Sequence, residues 1–140
     1  MNEYFNETIK LAKKSLKYGD VPIGAIVVKD GTIIGKGYNT REKHENVLGH
    51  AEINAINIAS KGLNNWNLNG CELYVTLKPC SMCTEIIKQS RITNVYYLTD
   101  KLPSKHEFNQ TKMEKYNNNE MSKEYLELLQ SFFKNLREKK

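Results

Sequence analysis

His50-Ala51-Glu52 and Pro79-Cys80-Ser81-Met82-Cys83 restrict what this chain can fold into more than any other feature of it. Three side chains of the kinds that bind zinc, together with an acid, lie in two separate segments that a fold must bring to one point. A proline just ahead of a helix pre-sets its first turn, and Cys80 and Cys83 then lie one turn apart on the same face. One metal can bridge them. His50 adds a third donor, and three protein ligands leave tetrahedral zinc an open position for water, whereas a structural site is normally closed by a fourth.

The charges agree. Zn²⁺ with two thiolates and a neutral imidazole sums to zero, so bound hydroxide leaves the centre at −1, and helix starts at both segments offset that anion. A zinc-bound water can titrate near a pH of about 7. Glu52, two residues after His50, is placed to lean over the open position without ligating, as general acid and base. The backbone N–H groups of Ala51 and Cys80, at their helix starts, are candidates to orient substrate and a developing oxyanion.

Around these motifs the periodicity alternates. Phe5, Ile9, Ala12 and Leu16 form an apolar stripe at helical spacing, closed by Gly19. Residues 23–28 are apolar and β-branched, Asp30-Gly31 is a hairpin signal, and residues 32–38 return as a second strand. Ile53, Ile56 and Ala59 mark a helix that begins at His50. Leu73, Val75 and Leu77 alternate with Tyr74 and Thr76 in a third strand that runs into Pro79, a short helix follows, and residues 94–98 read as a fourth strand. The pattern predicts an α/β fold with a mixed central sheet and helices on both faces. Residues 101–119, with Pro103 and three consecutive asparagines, read either as loop or as a short strand between loops, the latter in line with a sheet of about five strands. Tyr125, Leu128, Leu129, Phe132, Phe133 and Leu136 predict a C-terminal helix. Its Phe132-Phe133 pair with Lys134, Arg137, Lys139 and Lys140 reads equally as an RNA contact or as a packed helix with cations at its C-terminal end. Trp66 is expected to be a packing anchor under its loop, and Cys71 a small buried hydrophobe. His44 and His106 are weaker candidates for a fourth ligand.

At 140 residues and 16.2 kDa, the chain fits one domain, residues 1–140. Hydrophobic residues make up 39% and charged ones 26%, with a mean hydropathy of −0.62, the values of a polar globular protein, and no stretch reads as a transmembrane segment. The polar first ten residues do not resemble an export signal, so a cytoplasmic location is expected. Three cysteines, two of them in CxxC with a distant histidine, favour metal over disulfides. A net charge of +5 and a pI near 9.0 suit a polyanionic partner, though a solubility role explains them as well.

HxE followed by PCxxC is the pattern of zinc-dependent base deaminases. The chain resembles the cytidine-deaminase-like superfamily and, within it, the bacterial tRNA-specific adenosine deaminases. The likeness runs through Asp20-Val21-Pro22-Ile23-Gly24-Ala25, Gly37-Tyr38-Asn39, the two metal motifs, Asn65-Trp66-Asn67-Leu68, Ser90-Arg91-Ile92, and the Phe132-Phe133 and Leu136-Arg137 ending. It implies a three-layer α/β/α fold, one Zn²⁺ per subunit on His50, Cys80 and Cys83, and Glu52 as the proton shuttle. It further implies substrate contacts at Asn39, Ala51 and Pro79, and a homodimer that converts adenosine to inosine at the wobble position of a tRNA anticodon stem-loop. No membrane association and no organic cofactor are implied. Two departures stand out: Lys78 occupies the place of a usual glutamate before Pro-Cys, and residues 101–120 replace a small-residue, glycine-rich stretch. They leave open a deaminase of a free base, nucleoside or nucleotide, of cytosine or guanine type. A non-catalytic zinc-stabilised RNA-binding module is the third reading, against which Glu52 argues.

Overall fold

Period-two alternation of buried side chains builds the sheet. In β1 (Gly24–Lys29), Ala25 and Val27 point into one cluster and Ile26 and Val28 into the other, all four inaccessible to solvent. A computed structural model describes residues 1–100 and 111–138 of the chain. β1 pairs antiparallel with β2 (Thr32–Tyr38) on one side and with β3 (Glu72–Leu77) on the other, and β3 pairs parallel with β4 (Asn94–Thr99). The strand order is β2-β1-β3-β4. The β1–β2 turn has Asp30 and Gly31 at φ 49 and 78, the paired positive values that a tight hairpin requires. Val27 faces Gly35 but Val28 faces Ile33, so Ile34 is the extra residue of a bulge.

Helix α1 (Asn2–Leu16) covers the face that carries Ile26, Val28 and Tyr74; α2 (Ala51–Leu63) and α3 (Ser81–Gln89) cover the other. Tyr74 stacks against Tyr96 at 5.1 Å and meets Tyr4 at 4.8 Å. The layering is the expected α/β/α sandwich. Its sheet has four strands among the described residues rather than about five: residues 111–118 carry no strand, in keeping with an asparagine-rich, non-alternating stretch, and residues 101–110 lie outside the described residues.

Two further expectations change. The inward face of α1 is Thr8, Leu11, Ala12 and Ser15, while Ile9 and Leu16 stay exposed. The hydroxyls can be buried because Thr8 Oγ1 donates to Phe5 O (2.7 Å) and Ser15 Oγ to Asn39 O (3.0 Å). Trp66 is 64% exposed with the Arg91 guanidinium 5.8 Å from its ring, and the anchor of that loop is the fully buried Leu68, whose N–H donates to Ser90 O.

Chain contacts define two units, Met1–Pro103 and Ser104–Lys140. The second contains α4 (Asn119–Glu138), as the helical spacing predicts; Asn118 Oδ1 accepts the Met121 N–H at its start, and Phe132 meets Phe133 edge to face.

Candidate active site

Both metal motifs sit at helix starts, on one end of the sheet. β2 leads through residues 39–49 to His50, whose backbone is extended (φ −93, ψ 145) and whose C=O accepts the Asn54 N–H, so it is the N-cap of α2. β3 leads to Cys80, the N-cap of α3 (φ −68, ψ 171), with Thr84 N–H on its C=O. Cys83 lies in the first turn of α3. Gly35 and Gly37 let α2 lie close to β2, since a Cβ at either would overlap the helix backbone at Ala55 O or Ala51 O.

His50 Nδ1 is 3.8 Å from Cys80 Sγ and 3.4 Å from Cys83 Sγ, and all three donor atoms lie within 4.8 Å of one another. Tetrahedral zinc with N at about 2.05 Å and S at about 2.3 Å holds its nitrogen and sulfur ligands roughly 3.6 Å apart. The spacing therefore fits that ion. Burial, and then the charge of Arg41, lowers the His50 pKa, which favours the neutral imidazole that a ligand must be. Burial, and then the Glu52 charge and Cys80, pushes the Cys83 thiol up, a cost that a divalent cation reverses.

Glu52, in the first turn of α2, is 4% exposed, and its Oε1 has no hydrogen-bond partner. Burial raises its pKa, against smaller lowering by its own backbone N–H and by Cys83. A buried carboxyl with an orphaned oxygen beside a ligand triad is what a proton carrier to a bound water looks like.

The triad opens into a cleft of about 250 Å³, lined among others by Asp20, Asn39, Arg41, Glu52 and Lys78. That is just below the usual range for small-molecule sites, about 300–1,000 Å³, and suits a base more than a larger ligand. Asn39 is buried and lines the cleft; its Oδ1 accepts the Ala51 N–H (2.9 Å), which leaves its amide N–H groups as the donors it can offer a ligand. The Ala51 N–H is thus engaged by Asn39. Pro79 does not line this cleft but a neighbouring groove. His44 lies on a different depression with Lys36 and Lys61, away from the triad, and His106 falls outside the described residues, as do Lys139 and Lys140. Cys71 is a fully buried free thiol in the core.

Asp20 belongs to the stretch that carries the family likeness, but nothing in the sequence assigns it a role. It is buried, with its carboxylate oxygens accepting the N–H groups of Glu42 (2.8 Å) and Lys43 (3.3 Å), and so pins the loop that carries Arg41. The sole local signal was an acid directly after Gly19, which has positive φ in the turn that follows α1.

A profile of the MafB19-like deaminases matches residues 1–137. The chain belongs to the MafB19-like deaminase family. Among relatives of this deaminase chain, tRNA-specific adenosine deaminase of Streptococcus pyogenes serotype M18 is 45% identical over 94 residues, covering 67% of the chain and 59% of that protein. The tRNA-specific adenosine deaminase of Aquifex aeolicus is 46% identical over 96 residues, covering 68% and 64%. The chain thus spans less than two thirds of these relatives' length. A solved structure from a study of A-to-I editing by tRNA:A34 deaminases at the wobble position superposes with a TM-score of 0.70 at 35% identity, covering 72% of this chain and 73% of that one. Guanine deaminase from Bacillus subtilis superposes at 0.76 with 25% identity, covering 95% and 93%. The cytidine-deaminase-like fold expected from the motifs is the fold observed.

Proposed function

We propose that this chain is a zinc-dependent hydrolase that converts adenosine to inosine at the wobble position of a tRNA, releasing ammonia. The observation that carries the reading is the partnerless oxygen of buried Glu52 next to the His50, Cys80 and Cys83 donors, on the floor of a base-sized cleft. The identities above, to proteins named for that reaction, support the substrate.

His50, Cys80 and Cys83 would hold one Zn²⁺ per subunit, which would supply there a water acidic enough to attack at neutral pH. Glu52 is placed to take one proton from the attacking water and set it on the purine ring, then to move the remaining hydroxyl proton of that water to the amine departing from C6. Water adds at C6, the C–N bond breaks, and the products are inosine and ammonia. Asn39 holds the base or ribose through its free amide N–H groups, with Ala51 fixing its orientation. Pro79 sets the start of α3 next to the substrate. The small cleft admits only an unstacked adenosine, so the anticodon loop must present it flipped out. The working form is a cytoplasmic homodimer of single deaminase domains, residues 1–137 of which match the family profile. No described helix is long and apolar enough to cross a membrane.

Guanine deaminase's cover of 95% of the chain favours a second reading, hydrolysis of a free purine base by the same groups. One experiment separates them. Zinc-loaded protein is given an anticodon stem-loop with adenosine at the wobble position and, separately, guanine, cytosine, cytidine and deoxycytidylate. Inosine formed in the RNA alone supports the first reading; turnover confined to a small molecule rejects it.

A further inference from the structure

Beside the catalytic cleft lies a second cavity of about 220 Å³, walled mainly by Pro79, Ile87, Ile92, Val95 and Tyr97. The two meet across one peptide: Cys80 lines the cleft and Pro79 the groove, with Cα atoms about 3.8 Å apart. Lys78 alone borders both. Its N–H donates to Thr99 O (2.9 Å), which fixes its backbone to the end of β4, and its ammonium stands 5.8 Å from the Tyr97 ring. Lys88 borders it too; among the described residues no acid lines the groove, and the ion-pair contact of Lys88 is to exposed Glu85 at 3.9 Å, a weak pair. Tyr97, on a strand that has no outer neighbour among the described residues, is 43% exposed.

An apolar slot with an aromatic wall and lysines at its rim is how proteins hold single-stranded nucleic acid: the ring stacks a base and the cations meet the backbone. We infer that this groove seats the nucleotide next to the target adenosine, its base against Tyr97 and the linking phosphate on Lys78. Lys78, unusual before Pro-Cys, then has a task in selecting a polynucleotide. The inference rests on the tRNA reading above and names a specificity-determining subsite for it.

The test is steady-state deamination of an anticodon stem-loop and of two versions that lack the base, but keep the phosphates, immediately 5′ or 3′ of the target. Tyr97→Ala lowers kcat/KM on the intact RNA by about 5- to 150-fold, the worth of one base–aromatic stack, mainly through KM. On one of the two abasic RNAs the same substitution has no further effect, and Tyr97→Phe restores the intact rate. Lys78→Gln flattens the slope of log(kcat/KM) against log[salt] by about 0.7–1, the loss of one phosphate contact. Equal Tyr97→Ala losses on all three RNAs, or an unchanged salt slope in Lys78→Gln, overturn the subsite while leaving the tRNA reading intact. So does a Tyr97→Ala protein altered only in oligomeric state, which would make the groove a contact between copies. A wild-type enzyme that deaminates no RNA overturns both.

Discussion

Gly37→Ala tests whether the glycines of β2 set the position of the catalytic groups. An added Cβ would lie 2.9 Å from the Asn54 Cβ and overlap the Ala51 carbonyl. Relaxed carbon pairs sit at about 3.5–4.0 Å, so α2 must lift by roughly 0.6–1.1 Å. Overpacking of that kind costs about 1–3 kcal/mol of stability. The larger effect falls on the site, because Ala51 lies between His50 and Glu52: a misplacement of about 1 Å costs on the order of 10²-fold in rate. Zinc affinity, measured by competition with a chelating dye, should fall with it, by about 10- to 100-fold. Urea unfolding gives the stability loss, and Gly62→Ala is the control on the same helix. Nothing lies within 4 Å of a Cβ there, so it should stabilise by about 0.5–1 kcal/mol and leave turnover alone. A Gly37→Ala protein with wild-type zinc affinity and rate would refute the reasoning, since α2 would then not be held by its contact with β2.

Glu52→Ala should cut kcat by at least about 10²–10⁴-fold with zinc content and folding near normal; a zinc-loaded variant that keeps its rate would remove Glu52 from the proton transfer. Stripping the metal with a chelator should abolish turnover and lower Tm, with both restored by Zn²⁺ alone, and persistence of full activity in metal-free protein would sink the mechanism. Asp20→Ala frees the N–H groups of Glu42 and Lys43 and should cost about 1.5–3 kcal/mol while raising KM more than it changes kcat, because the loop bearing Arg41 loosens. The Lys36 ammonium, bonded to Glu7 at 3.0 Å, holds that carboxyl below its ordinary range. The pair's stability is therefore present above the usual carboxylate range and fades as pH falls through the lowered pKa. Lys36→Met should depress Tm by more at pH 7 than at pH 3, and by little at either, since exposed pairs contribute about 0.2–1 kcal/mol; an equal loss at both pH values would argue against the ion pair.

The metal donors were legible because their chemistry and spacing are local: Pro79 announces a helix start, and Cys80 and Cys83 must then share a face. The inward face of α1 was not. Hydropathy ranks Ile9 and Leu16 above Thr8 and Ser15, and it cannot register that each hydroxyl bonds a backbone carbonyl and so buries at little cost. Asp20 acts through partners 22 and 23 residues away, which no spacing rule encodes. Asn39 was recognised at a strand end, but its bond to Ala51 needed the return of the chain over 12 residues. Trp66 misled because size was taken for burial, whereas smaller Leu68 fits beneath the loop.

His50 stands 30 residues before Cys80 and 33 before Cys83, on helices that leave different strands. Any ion that clasps the three is consequently a cross-link as well as a reagent. By the loop-closure relation used for disulfides, tying off some 30 residues removes about 3–4 kcal/mol worth of freedom from the unfolded chain. A molecule that sheds its ion forfeits the staple together with the nucleophile, so turnover and resistance to unfolding should fall together and return together.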